Sequence, residues 1–129
     1  CILNLDSINI GENVFMIGYP KSLEVTQYNN YNFDIPITRK GIISGKDYRH
    51  NTILIDCPSY GGNSGGPILI EKNGGYKMIG LVSSYVPYID LWINPVTNIR
   101  NVDAINSGLT VITPFYRIIN DLYKEGLWK

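Results

Sequence analysis

One short run of this chain has the residue types for nucleophilic chemistry: Gly61-Gly62-Asn63-Ser64-Gly65-Gly66-Pro67. A serine set between flexible glycines, just ahead of the strand-like Pro67-Ile68-Leu69-Ile70, exposes its hydroxyl. It also frees neighbouring backbone N–H groups to bind an oxyanion. Taken alone the run is a weak signal, because glycine-rich turns are common in hairpins. A catalytic serine also needs a base, and the chain holds a single histidine, His50. His50 falls in the polar run Lys46–Asn51, which reads as a surface turn, so a catalytic role is the minor reading. Asp6 and Asp56 lie near strands, and Asp56 reads as a solvated or turn-capping carboxylate. No metal site or cofactor is expected, since one His and two scattered Cys cannot build a zinc site.

The elements that must position Ser64 read as short strands. Val14–Gly18 is an apolar run stopped by Pro20. Residues 21–34, rich in Asn and Tyr, read as a loop. Pro36–Gly45 and Thr52–Asp56 read as the second and third strands, the latter delivering the chain into the glycine run. Pro67–Ile70 and Lys77–Ser83 read as a hairpin across Asn73-Gly74-Gly75. Residues 85–107, rich in Pro and Asn, read as a long irregular loop, functional or mobile. Leu109–Thr113 is the last expected strand. Pro114 is expected at the first position of a helix whose apolar face is Phe115, Ile118, Ile119, Leu122 and Tyr123, with Gly126 at its end. The fold class is therefore all-β, a small antiparallel barrel of six strands with one C-terminal helix.

Composition agrees. The chain has 129 residues, one domain's worth, with 44% apolar and 17% charged residues. It carries 10 tyrosines and a single alanine, Ala104, a balance that favours strands. A formal net charge of 0 gives no electrostatic reason to expect nucleic acid or an anionic membrane as partner. No segment approaches the ~20 apolar residues of a membrane span. The chain starts at Cys1, which reads as a cut, so a missing signal peptide says nothing about compartment. Cys1 and Cys57 either pair or stay free.

Three further pieces stand in order around the serine run. Gly11-Glu12-Asn13-Val14-Phe15-Met16-Ile17-Gly18-Tyr19-Pro20 and Thr38-Arg39-Lys40-Gly41-Ile42-Ile43-Ser44-Gly45 precede it, and Gly80-Leu81-Val82-Ser83 with Gly108-Leu109-Thr110 follow. With Gly62-Asn63-Ser64-Gly65-Gly66-Pro67, this order resembles the C-terminal β-barrel of trypsin-like (chymotrypsin-fold) serine peptidases. It is nearer the bacterial HtrA-type and glutamyl-endopeptidase-like branches than digestive trypsins. The resemblance implies a Greek-key barrel, the second of two, spanning residues 1–129. It implies a hydrolase: Ser64 as nucleophile, and Gly62 and Ser64 as the oxyanion-hole N–H positions. Ser83, Ser84 and Tyr85 would form a substrate-pairing wall, with Pro58 and Gly108 at the specificity pocket. Pro58 stands where trypsins carry a pocket-floor Asp, so a small or apolar substrate side chain is expected. Asp90 and Asp103 could still reach that pocket. Asn63 replaces the Asp of digestive trypsins, so an activation switch through a freed N-terminus is not expected. Secreted or periplasmic localisation follows from the resemblance alone.

In that family the triad His and Asp lie on an N-terminal barrel upstream. This chain alone is expected to be nearly inactive, with about 10³–10⁴ over water from oxyanion hole and binding. A complementary N-terminal barrel is the implied partner, and a peptide or protein the implied substrate. The barrel face meant for that partner is expected to be apolar. The rival reading is an inactive homologue serving as a peptide-binding or structural module. A third, with Cys1 as an N-terminal nucleophile, needs layered α/β architecture that one helix does not supply. Among the loop tyrosines, Tyr60 and Tyr85 have a claim to the cleft by their nearness to Ser64 and Ser83.

Overall fold

The computed structural model describes residues 3–22, 31–98 and 100–128, with backbone alone at 88, 90, 92 and 100–105. Six strands close an antiparallel barrel: β1 (Asn13–Gly18), β2 (Ile37–Asp47), β3 (Thr52–Asp56), β4 (Pro67–Lys72), β5 (Gly75–Ile93) and β6 (Arg100–Pro114). The helix α1 (Phe115–Lys124) follows, and a single 3-10 turn (Leu5–Ser7) precedes β1. The order around the barrel is β1-β2-β3-β6-β5-β4. Four neighbours therefore run β4-β1-β2-β3, which is the Greek-key arrangement.

Period-two patterning makes these strands and fills the interior. Val14 and Met16 point inward from β1, Ile53 and Ile55 from β3, Ile68 and Ile70 from β4, and Ile112 from β6. Gly80 and Gly41 let neighbouring backbone close in. A Cβ on Gly80 would stand 2.3 Å from the Thr113 carbonyl, and one on Gly41 2.2 Å from that of Asp56. Asn73 (φ 51°) and Gly74 (φ 76°) both adopt the left-handed region, the two-residue turn that joins β4 to β5 with Lys72 opposite Gly75.

The structure corrects three expectations. Residues 85–107 are not an irregular loop: β5 continues to Ile93 and β6 begins at Arg100, pairing from Pro87–Asn106 to Ile93–Arg100. Pro87, Pro95 and Asn94, among the residues that suggested a loop, sit where a ribbon tolerates them. Pro87 lies at a register shift, and Pro95 lies in the connecting turn. That turn is tied by Asn94, whose Oδ1 accepts from the Val96 N–H (3.0 Å). The last strand accordingly starts well before Leu109. Pro114, with ψ 140°, ends β6 and caps α1 instead of being its first helical residue. On α1 Ile119 is buried, and Phe115, Ile118 and Leu122 are half-buried, but Tyr123 is 68% exposed. Tyr116 packs on the core instead.

Candidate active site

The glycine run forms a tight loop between β3 and β4, and each residue in it has a local reason. Gly62 has φ +100°, and a Cβ there would stand 2.2 Å from the Tyr19 carbonyl and 2.7 Å from the Lys21 nitrogen. Only glycine satisfies both the dihedral and the contact. Asn63 is 3% exposed. Its N–H donates to the Tyr60 carbonyl (2.9 Å) and its carbonyl accepts from the Gly66 N–H (2.9 Å). Gly65 donates to the Val82 carbonyl (2.8 Å), and Val82 donates back to Gly66 (2.9 Å). The loop is thus stitched to β5 directly beside Ser83.

The N–H groups of Asn63, Gly65 and Gly66 are engaged, while those of Gly62 and Ser64 have no backbone acceptor among the described residues. Ser64 is exposed. Under the loop, Asn63 Nδ2 donates to the Met16 sulfur (3.6 Å), and Asn63 Oδ1 is buried without a hydrogen-bond partner. It lies where a Cβ on Gly18 would come within 2.9 Å.

The segment leading into the loop is strapped to two strands. From β6, Thr110 Oγ1 donates to the Cys57 carbonyl (2.6 Å) and lies 3.0 Å from Ser59 Oγ. Asn106 Nδ2 donates to the Ser59 carbonyl (2.6 Å) while its Oδ1 accepts from the Gly108 N–H (2.9 Å). From β2, the Arg39 guanidinium lies 4.9 Å over the Tyr60 ring and reaches the Pro58 carbonyl at 3.5 Å. Burial pushes the Cys57 thiol up, against the pull of Arg39. A cation therefore stands beside Pro58, the position from which a small or apolar substrate side chain was expected. Arg39, Asn106 and Thr110 were not legible as neighbours of the loop, since β2 and β6 are distant in sequence.

Of the other expected site residues, Ser83, Ser84 and Tyr85 are exposed on β5 next to the loop. Gly108 (φ +85°) sits where Ser107-Gly108-Leu109 bulge out between the pairs Tyr85–Thr110 and Pro87–Asn106. Cys1 lies outside the described residues, as do the side chains of Asp90 and Asp103. Two cavities of about 310 Å³ open elsewhere. One is lined by Lys46, Thr52, Leu54 and Val111. The other lies outside the barrel, among Phe15, Ile17, Thr38, Leu69 and Tyr76.

His50 is placed at the opposite pole. The serine loop packs against Ile17–Tyr19, beside the start of β2, whereas the His50 turn follows the end of β2. Those 11 residues span roughly 30 Å at ~3.3 Å each. There His50 Nδ1 lies 2.6 Å from Asp47 Oδ2, both exposed, and its hydrogen bonds hold the Asp47 carboxyl below the usual range. Arg117 of α1 donates to the His50 carbonyl (3.4 Å). Asp6 accepts from the Tyr48 hydroxyl (2.9 Å), and Asp56 is exposed. Neither lies in a charged cluster with Ser64. Among the described residues, no group of three or more His, Cys, Asp or Glu could hold a metal ion, and no helix is long and apolar enough to cross a membrane.

Comparison with family models and with curated proteins gave no match to this chain. The closed six-stranded antiparallel barrel is compatible with a trypsin-like barrel and goes no further by itself.

Proposed function

We propose that this barrel is the serine-bearing half of a trypsin-like serine peptidase. The observation that carries the reading is that the N–H groups of Gly62 and Ser64 have no backbone acceptor among the described residues, while Asn63 and Gly65 beside an exposed Ser64 are held. In this mechanism Ser64 Oγ attacks a substrate peptide carbonyl, and the carbonyl oxygen becomes an oxyanion held by those two N–H groups. The Oγ proton passes to a base and from it to the leaving amine as the C–N bond breaks. Water then hydrolyses the acyl ester. The base is a histidine outside these residues, oriented by an aspartate, because His50 lies at the far end of β2. Ser83–Tyr85 would pair with the substrate main chain, with Pro58 and Gly108 bordering the first side-chain pocket.

The test is labelling of the full natural protein with a fluorophosphonate. Wild type is expected to label on Ser64, and Ser64→Ala to show none while keeping the same circular dichroism. A folded wild type that stays unlabelled sinks the peptidase reading. The second reading, a peptide-binding module without catalysis, draws on the absence of any base beside Ser64 among the described residues, and would then take its place.

A further inference from the structure

Beyond Val82, β5 has a paired neighbour on one side among the described residues. β4 pairs with it as far as Leu81, and the bonds joining Val82 to Gly65 and Gly66 end that seam. From Ser83 to Ile93 the strand paired to β5 is β6, and no other is paired to it among the described residues. Its second edge therefore offers main-chain N–H and C=O groups to an added extended chain. The same stretch carries large apolar side chains at alternate positions: Ile89, Leu91 and Ile93 are 54%, 56% and 48% exposed. Alternate residues of a strand share one face, about 6.7 Å apart, which is the repeat of an extended peptide. A two-stranded ribbon has no interior of its own and is marginal in water without further packing.

We propose that the β5–β6 arm, residues 86–106, is a docking strand for extended polypeptide substrates with apolar side chains at alternate positions. Such a peptide adds to the free β5 edge and places its side chains beside Ile89, Leu91 and Ile93. An extended polypeptide is the occupant that fits, because main-chain pairing and a two-residue apolar repeat occur on one strand. That strand is continuous with Ser83–Tyr85 at the serine loop. The identity of the occupant as a substrate rests on the peptidase reading; its chemistry as an extended chain does not.

The experiment uses the full natural protein carrying Ser64→Ala, with a fluorescein-labelled 14-residue peptide having Leu or Val at alternate positions, read by fluorescence anisotropy. N-methylation of alternate amides in the peptide is expected to weaken binding roughly tenfold or more, since the edge bonds are lost. Ile89→Thr, Leu91→Thr and Ile93→Thr together keep strand propensity and are expected to weaken it roughly tenfold. Trimming the arm by joining Pro87 to Asn106 through Asn-Gly, where the register sets the two opposite, is expected to abolish the advantage of 14 residues over 5. Equal binding of the N-methylated peptide and by the triple variant overturns the proposal. So does self-association through the arm that the peptide fails to compete with. Fluorophosphonate labelling of wild type separates the two ideas. Labelling without length-dependent binding removes the arm, and binding without labelling removes the peptidase while leaving the arm.

Discussion

Gly62 and Gly65 lie on either side of Ser64 and both have positive φ, yet they do different work. Around Gly65 (φ +80°) a Cβ would meet nothing within 4 Å, so alanine there costs only backbone strain, about 1–2 kcal/mol. At Gly62 the same strain is joined by a Cβ set 2.2 Å from the Tyr19 carbonyl, and backbone must move. Gly65→Ala is therefore expected to lower the urea midpoint modestly and to leave Ser64 labelling within a few-fold of wild type. Gly62→Ala is expected to lose more stability and, by turning its N–H away, about 10²-fold in labelling rate. Equal labelling rates for the two variants would remove Gly62 from the proposed oxyanion hole. Asn63 sits between them as a peg: its main chain is bonded on both sides, and its amide is buried on Met16. An aspartate at this place would leave a buried carboxylate facing a sulfur and a carbon, which accounts for the neutral amide.

At the scale of elements, the segment entering β1 and the end of β4 are clasped by one ion pair. Lys72 Nζ lies 2.7 Å from Glu12 Oε1, with both side chains 21% exposed, and Glu12 Oε1 also accepts from the Asn9 N–H (2.7 Å). Burial alone would raise the Glu12 carboxyl, but Lys72 and Asn9 together hold it below its ordinary value of 4.5. A depressed carboxyl adds stability at neutral pH that is lost as pH falls through the folded-state value. Lys72→Met is thus expected to lower stability at pH 7, on the order of 1 kcal/mol. The gap from wild type should close as pH drops below about 4.5, measured by urea midpoints across pH. A gap that persists at pH 3 would mean that Lys72 acts through packing alone. Most elements were legible because period-two burial is written in β1, β3 and β4. The arm was not: its short apolar alternation at Ile89, Leu91 and Ile93 is exposed and marks no core. Its Pro and Asn residues also mimic loop punctuation. Pro114 misled by one residue because a proline φ of −60° fits both a strand end and a first helical turn, and only ψ separates them.

For the molecule as a whole, the glycine-rich turn before β4 was readable from local sequence, because positive φ at Gly62 and Gly65 is a local demand. Its surroundings were not, because Arg39, Asn106 and Thr110 arrive from strands that only barrel closure brings together. Closure also fixes the two poles, with Ser64 at one end of β2 and His50 at the other. That separation has a practical consequence. Since His50 is the chain's one histidine, His50→Gln yields 129 residues with no imidazole at all. Such a chain is a blank background for chemical rescue. Its Ser64 is expected to react with a fluorophosphonate at the wild-type rate. Any acceleration by added imidazole, or by a second barrel, then measures proton acceptance from outside the chain. A more than tenfold slowing caused by His50→Gln itself would bring the far pole back into the chemistry. Without that slowing, every imidazole-dependent increment in Ser64 reactivity can be assigned to its donor without correction.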